Sequence, residues 1–272
     1  MKLHHDLVSA PDAKPTRAVL FLHGILGTGA NLRSHARRFV QQRPENLGVL
    51  IDLRAHGDSQ GTDGDDTVAN CAKDLVETVR ELNVPVSGVV GHSFGGKVAL
   101  AFAKLQQGLD HVMTLDSAPG PRTDARGSES TVEVLTVLDA LKQTWTGRDE
   151  FIAAIEAKGL GKMLGQWLAM NLELKEGAWV FKLSLPRIHA LLEDYFEVDL
   201  WPVVEEAAHK GPKVHLVIGA RSLVYSHEDR VHAQSLEHDS KERVTVDVLS
   251  AGHWVHVEDP QGVSEVLARR LG

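Results

Sequence analysis

Short apolar runs alternate with longer stretches of helical periodicity along most of this 272-residue chain. Runs at 3–8, 18–22, 49–51, 86–90, 111–115, 214–218 and 243–249 predict strands. Between them, apolar positions recur at the spacing of one helix face over 31–42, 67–82, 94–105, 227–237 and 261–271. Asp66-Thr67 supplies an N-cap for the second of these helices, and Asn83 with Pro85 stops it. Strands separated by helices imply right-handed crossovers, hence an α/β fold with a mostly parallel sheet covered on both faces. The alternation breaks between Pro121 and Glu206. No strand stands there at the spacing the sheet requires, and helical stretches are predicted at 131–142, 149–157, 162–172 and 185–193. Trp145, Trp167, Trp179 and Trp201 fall in this region, and a Pro/Gly-rich loop from Ser117 to Gly127 opens it. We read 1–120 with 207–272 as the core domain, and 121–206 as a small helical cap inserted into it.

The strand at 86–90 runs into Gly91-His92-Ser93-Phe94-Gly95-Gly96 and then a helix. Gly-x-Ser-x-Gly between strand and helix describes a nucleophile elbow, a turn tight enough to demand glycine on either side of the serine. The pattern alone is weak, because a glycine-rich turn with a surface serine looks the same. It gains weight only if the chain supplies a base, an acid and an oxyanion site at the carboxyl ends of neighbouring strands. His253 qualifies as the base: it follows the last strand in Ala251-Gly252-His253-Trp254 and precedes the final helix. His256 and His92 read as structural histidines, His92 packing behind the serine.

The acid commonly follows the penultimate strand in this architecture, but Ser222 stands there and cannot carry charge. Asp116, closing the strand before it, is therefore assigned, with Glu228 and Asp229 as alternatives. The oxyanion donors are expected to be the backbone N–H of Phe94, directly after the serine, and that of Ile25 in His23-Gly24-Ile25-Leu26-Gly27, with Leu26 second. Asp52, Arg54 and His56 read as a hydrogen-bonded turn bracing that loop rather than as catalytic groups. Leu26, His92, Trp145, Trp167 and Trp254 complete the expected substrate pocket. Lys97 reads as a helix surface residue.

Composition narrows the field further. The net charge is -8, from 29 Lys and Arg against 37 Asp and Glu, with no basic cluster, which argues against nucleic acid as a partner. No apolar run approaches the roughly 18 residues of a membrane span. The single cysteine, Cys71, cannot close an internal disulfide, and no Cys/His cluster has zinc spacing, so neither a metal nor another cofactor is expected. The first 17 residues have the pattern of neither a signal nor a transit peptide, so the cytoplasm is the expected compartment.

Taken together, His-Gly-Ile-Leu-Gly at 23–27, Asp-Leu-Arg-Ala-His-Gly-Asp-Ser at 52–59, Gly-His-Ser-Phe-Gly-Gly-Lys at 91–97 and Ala-Gly-His-Trp-Val-His at 251–256 resemble the α/β-hydrolase superfamily. Within it the chain is similar to bacterial esterases related to the mitochondrial abhydrolase-domain esterases. The resemblance implies an acid displaced to the position of Asp116, with a non-acidic residue at Ser222. It also implies a small helical cap and hydrolysis of short- to medium-chain acyl esters or thioesters through Ser93, His253 and Asp116. Carbon–carbon hydrolase, perhydrolase or lyase chemistry on the same triad is the alternative, as is a hydrolase-fold binding protein with slow turnover.

Overall fold

The computed structural model describes residues 1–61, 63–122 and 129–272. Its elements in chain order are β1 (His5–Val8), β2 (Arg17–Leu22), α1 (Arg33–Gln42), β3 (Asn46–Ile51), α2 (Val68–Val79), β4 (Val86–His92), α3 (Phe94–Ala103), β5 (His111–Leu115), α4 (Glu129–Asp139) and β6 (Thr144–Trp145). They continue with α5 (Arg148–Ala157), α6 (Lys162–Leu168), β7 (Leu172–Lys175), β8 (Ala178–Phe181), α7 (Leu185–Glu197), α8 (Trp201–Ala207), β9 (Lys213–Gly219), α9 (His227–Asp239), β10 (Val244–Leu249), α10 (Val255–Glu258) and α11 (Pro260–Arg270).

Seven strands form one sheet in the order β1-β3-β2-β4-β5-β9-β10. Only β1 runs antiparallel, against β3 at the edge; every other pairing is parallel. Val19, Leu20, Phe21 and Leu22 on β2 are all buried, because crossover helices cover both faces of the sheet. On one face Val19, Phe21, Val90 and Met113 pack with Phe39 of α1 and Val263 of α11. On the other, Leu20, Val89 and Val112 pack with Leu75 of α2 and Phe102 of α3. That second cluster extends without a break into Trp145, Phe151, Leu168 and Ile188, so the segment between β5 and β9 shares the core of the sheet.

This segment differs from the all-helical reading of its sequence. It contains a second, three-stranded antiparallel sheet in the order β6-β8-β7. The helix expected over 162–172 ends at Leu168, and a 3₁₀ turn at Ala169–Asn171 leads into β7. β7 and β8 are joined by Glu176-Gly177, both at positive φ (50° and 85°), the backbone of a two-residue type I′ hairpin whose twist matches the strands it joins. The loop expected to run from Ser117 to Gly127 lies partly outside the described residues.

The segment is seated on the core by polar contacts. Arg187 forks onto Asp66 at 2.7 and 2.8 Å. Asp194 accepts from Val68 N–H, the first amide of α2, at 2.7 Å. Lys182 pairs with Asp58.

Candidate active site

Ser93 sits between β4 and α3 at φ 50°, ψ −118°, a conformation that costs an L residue free energy and persists only because its surroundings fix it. Tight packing leaves no choice at the flanking positions. A Cβ on Gly91 would lie 2.0 Å from the carbonyl oxygen of Gly95, and one on Gly95 would lie 2.5 Å from that of His23. Both obstacles are backbone, so neither can give way. The Ser93 amide is tied to Leu115 O at 3.0 Å, which anchors the turn to the end of β5.

Asp116 follows directly on β5, also at positive φ (49°), and is completely buried. Its carboxylate accepts three hydrogen bonds. His253 Nδ1 lies 2.7 Å from Oδ2, the Ser222 hydroxyl donates to Oδ2 at 2.5 Å, and the Gly219 amide donates to Oδ1 at 2.9 Å. The strand order explains this set. β9 lies between β5 and β10, so an acid after β5 reaches a histidine after β10 only across the end of β9. Gly219 and Ser222, at that end, donate to the acid as it crosses. Gly219 must also be bare: a Cβ there would come 2.3 Å from the Gly252 carbonyl oxygen and push the His253 loop away. Glu228 and Asp229, the alternative acids, start α9; Asp229 pairs with the amide and hydroxyl of Ser226 as a capping box and accepts from Trp201 Nε1.

Behind the serine stands a bank of histidines. His92 Nε2 donates to the His253 carbonyl oxygen at 3.0 Å, so the residue beside the serine holds the backbone of the candidate base. Burial, then His256 and His253 nearby, push its pKa well below the ordinary histidine value, which keeps the ring neutral. The His92 and His256 ring centroids are 4.3 Å apart.

The loop at 23–27 is held from two sides. Leu26 N–H donates to His56 Nε2 at 3.0 Å, and Leu53 N–H donates to His23 Nε2 at 3.0 Å. Each imidazole therefore carries its proton on Nδ1 and donates it to a carbonyl, Arg54 O for His56 at 2.8 Å and Gly24 O for His23 at 2.7 Å. Burial lowers these pKa values to about 3 for His56 and about 4 for His23, consistent with neutral rings. The turn at 52–59 thus braces the loop, with Asp52 accepting from Gly29 N–H at 2.8 Å. Leu26 sits at φ 62°, with its amide committed to His56, so Ile25 is left as the loop's candidate oxyanion donor. From the other side Asn171 Nδ2 donates to Leu26 O at 3.0 Å. Nothing in the sequence singled out Asn171, because a lone asparagine carries no motif.

Ser93, His253, Gly24, Ile25, Leu26, His92, Trp167 and Trp254 line one cavity of about 490 Å³ including its mouth, with Thr131, Val134 and Leu164. Trp167 from α6 meets Trp254 edge-on at 5.4 Å, closing the segment 121–206 against the loop that carries His253. Trp145 does not belong to this cavity. It pairs with Trp179 across β6 and β8, packs on Phe151 at 5.3 Å and lines a separate cavity with Leu138 and Phe181. Its place on β6, a strand that the helical reading of the sequence does not contain, turns it away from the cavity. Lys97 is likewise not on the surface but fully buried.

His4, Asp52 and Asp58 bring possible metal-ligand atoms within 4.8 Å of one another. Asp52 is engaged by the Gly29 and Asp58 amides and by His4 Nδ1, and Asp58 by Lys182, so the three residues are held together by protein hydrogen bonds and an ion pair. Among the described residues no helix is long and apolar enough to cross a membrane.

A strained serine between a parallel strand and a helix shares a cavity with a histidine held by a buried acid at the end of β5, and residues 19–266 match the alpha/beta hydrolase family. The chain belongs to that family. Among relatives of this hydrolase, the protein named esterase YbfF of Escherichia coli is 26% identical over all of this chain and 99% of its own. The mouse protein named sn-1-specific diacylglycerol lipase ABHD11 is 24% identical over all of this chain and 85% of its own. A solved structure described as a marine microorganism esterase superposes with TM-score 0.80 at 22% identity, covering 97% of each chain.

Proposed function

We propose that this hydrolase cleaves short- to medium-chain acyl esters, or the corresponding thioesters, through Ser93, His253 and Asp116, with 121–206 serving as the cap over the site. The observation that carries the reading is the buried Asp116 carboxylate on His253 Nδ1 at 2.7 Å, which leaves Nε2 of that ring for the serine proton. Ser93 Oγ attacks the acyl carbonyl as His253 takes its proton. The oxyanion forms against the N–H groups of Phe94 and Ile25, each worth roughly 3 kcal/mol of barrier. His253 then protonates the leaving alcohol or thiol, and the acyl-enzyme is released when the same ring activates water. The esterase and lipase names of the two relatives support ester chemistry. The apolar lining from Ile25, Val134, Leu164, Trp167 and Trp254 supports an acyl chain as the part held.

The test is hydrolysis of p-nitrophenyl esters from acetate to palmitate. Each methylene that enters the apolar cavity contributes about 0.8 kcal/mol, so kcat/KM is expected to rise about fourfold per carbon until the chain reaches the end of the pocket. Ser93→Ala is expected to lower kcat at least about 10⁴-fold. Equal turnover by Ser93→Ala, or an inactive wild type, would sink the triad for esters.

A further inference from the structure

Lys97 lies one helical turn beyond Ser93 on α3, fully buried, and the ester chemistry above makes no use of it. Its Nζ donates to Tyr195 O at 2.7 Å, Gly120 O at 2.8 Å and Val198 O at 2.9 Å. Three N–H bonds meet three carbonyls, so the ammonium is saturated without a carboxylate. Two of the carbonyls belong to the end of α7, where helix carbonyls lack internal partners and the macrodipole favours a cation.

The positions of these carbonyls in the chain matter more. Gly120 lies four residues after Asp116, where the chain leaves the sheet for the segment 121–206. Tyr195 and Val198 lie where it returns. The two connections are themselves paired, Leu200 N–H to Pro119 O at 2.9 Å and Arg122 N–H to Phe196 O at 2.7 Å. Lys97 fastens the pair to the nucleophile helix. Its Nζ also stands 4.7 Å over the Tyr195 ring, whose centroid is 6.2 Å from that of Phe94. α7, which ends at two of these carbonyls, packs against α4. Val134 of α4 shares one apolar cluster and one cavity wall with Leu164 and Trp167 of α6, so a shift of the connections would disturb that wall.

We propose that Lys97 is a positioning residue for acyl selectivity: its ammonium fastens both connections of the segment 121–206 to the nucleophile helix and so sets the cavity wall formed by Val134, Leu164 and Trp167. The inference rests on the ester-hydrolase reading. The charged groups around Lys97 are Arg122 on the outgoing connection, Asp194 on α7, Asp199 after it and Asp229 on α9. Burial, the largest influence, and Arg122 lower the pKa while the three aspartates raise it, leaving it at about 7; burial keeps the neighbouring Tyr195 phenol protonated. The fastening is therefore complete below neutrality and loses a donor and its charge as pH rises through 7.

The experiment compares kcat/KM for p-nitrophenyl hexanoate with that for the acetate, from about pH 6 to about pH 9, in wild type and Lys97→Met. Both esters use one triad, so its own titration cancels in the ratio. The wild-type ratio is expected to fall about threefold or more across this range, the weight of one neutral hydrogen bond. In Lys97→Met the ratio is expected to be low already at pH 6 and flat thereafter. A purely structural role would lower both rates together and leave the ratio alone. A wild-type ratio that is flat with pH, or a Lys97→Met ratio equal to wild type at pH 6, overturns the proposal. Amide hydrogen exchange on the wild type covers a variant that fails to fold. After correction for intrinsic rates, the last turn of α7 is expected to exchange about threefold or more faster at pH 9 than at pH 6, relative to β4. Unchanged protection counts against the fastening. Faster exchange in a wild type that hydrolyses no ester supports the fastening and counts against the ester reading alone.

Discussion

At the scale of single residues, the candidate acid shows how one substitution is absorbed by its neighbours. Ser222 occupies a strand end where an acid is commonly expected, and its hydroxyl donates to the carboxylate that has moved to Asp116. Hydrogen bonds to a charged group are worth about 1.5–3 kcal/mol. Ser222→Ala is therefore expected to lower kcat about 10- to 100-fold with little change in KM, checked by steady-state kinetics on one short ester. A kcat within twofold of wild type would mean that Gly219 N–H and His253 alone hold the carboxylate. The sequence disclosed that Ser222 could not be the acid, because a hydroxyl carries no charge. It did not disclose that Ser222 would donate to the acid, since that depends on β9 lying between β5 and β10, a spatial order absent from chain order. Lys97 escapes sequence reading for a related reason. A lone lysine on a helix reads as solvated until the carbonyls of Gly120, Tyr195 and Val198, from distant parts of the chain, are seen around it.

At the scale of elements, the central strands were legible because burial on both faces writes them as unbroken apolar runs such as Ala18-Val19-Leu20-Phe21-Leu22. The small sheet was not. β6 has two residues and β7 and β8 four each, too short for alternation to rise above the helical signals beside them. The usable cue was Glu176-Gly177 between Leu172-x-Leu174 and Trp179-x-Phe181, a two-residue turn with glycine second but without the Asn or Asp that usually announces it. The 3₁₀ turn before β7 brings Asn171 to the Leu26 carbonyl, so this segment does more than line the cavity. Asn171→Ala leaves that carbonyl unpaired and releases one of the two holds on Leu26, the residue next to Ile25. Expected is a fall in kcat of about tenfold across all chain lengths, since the oxyanion is common to every ester. Trp167→Ala, by contrast, is expected to lower kcat/KM for the longer esters and spare acetate. If both variants gave the same chain-length profile, Asn171 and Trp167 would be acting on one feature rather than two.

At the scale of the whole molecule, the braces that hold the site are mostly neutral histidines, and their burial fixes how the fold responds to acid. His23, His56 and His256 have pKa values lowered by burial to about 4, 3 and 3, against about 6.5 for an exposed ring. Below pH 6.5 the unfolded chain takes up these protons and the folded chain does not, so stability falls as pH drops from about 6.5 toward the folded values. Each such group contributes a slope of about 1.4 kcal/mol per pH unit in that window. Above it the histidine contribution is constant, while Lys97, at about 7 in the folded chain against about 10.4 in the unfolded one, adds stability as pH rises further. Urea midpoints are therefore expected to drop steeply below pH 6 and still to climb from 7 to 9. His256 offers a clean check, because among the described residues its buried Nδ1 has no hydrogen-bond partner. His256→Leu deletes one proton-linked penalty. Relative to its own effect at pH 8, the variant is expected to gain about 2 kcal/mol over wild type at pH 5, read from urea unfolding at both pH values. An equal difference at the two pH values would mean that the folded protein accommodates the His256 proton, and that the neutral histidine bank behind Ser93 is open to water in a way its burial denies.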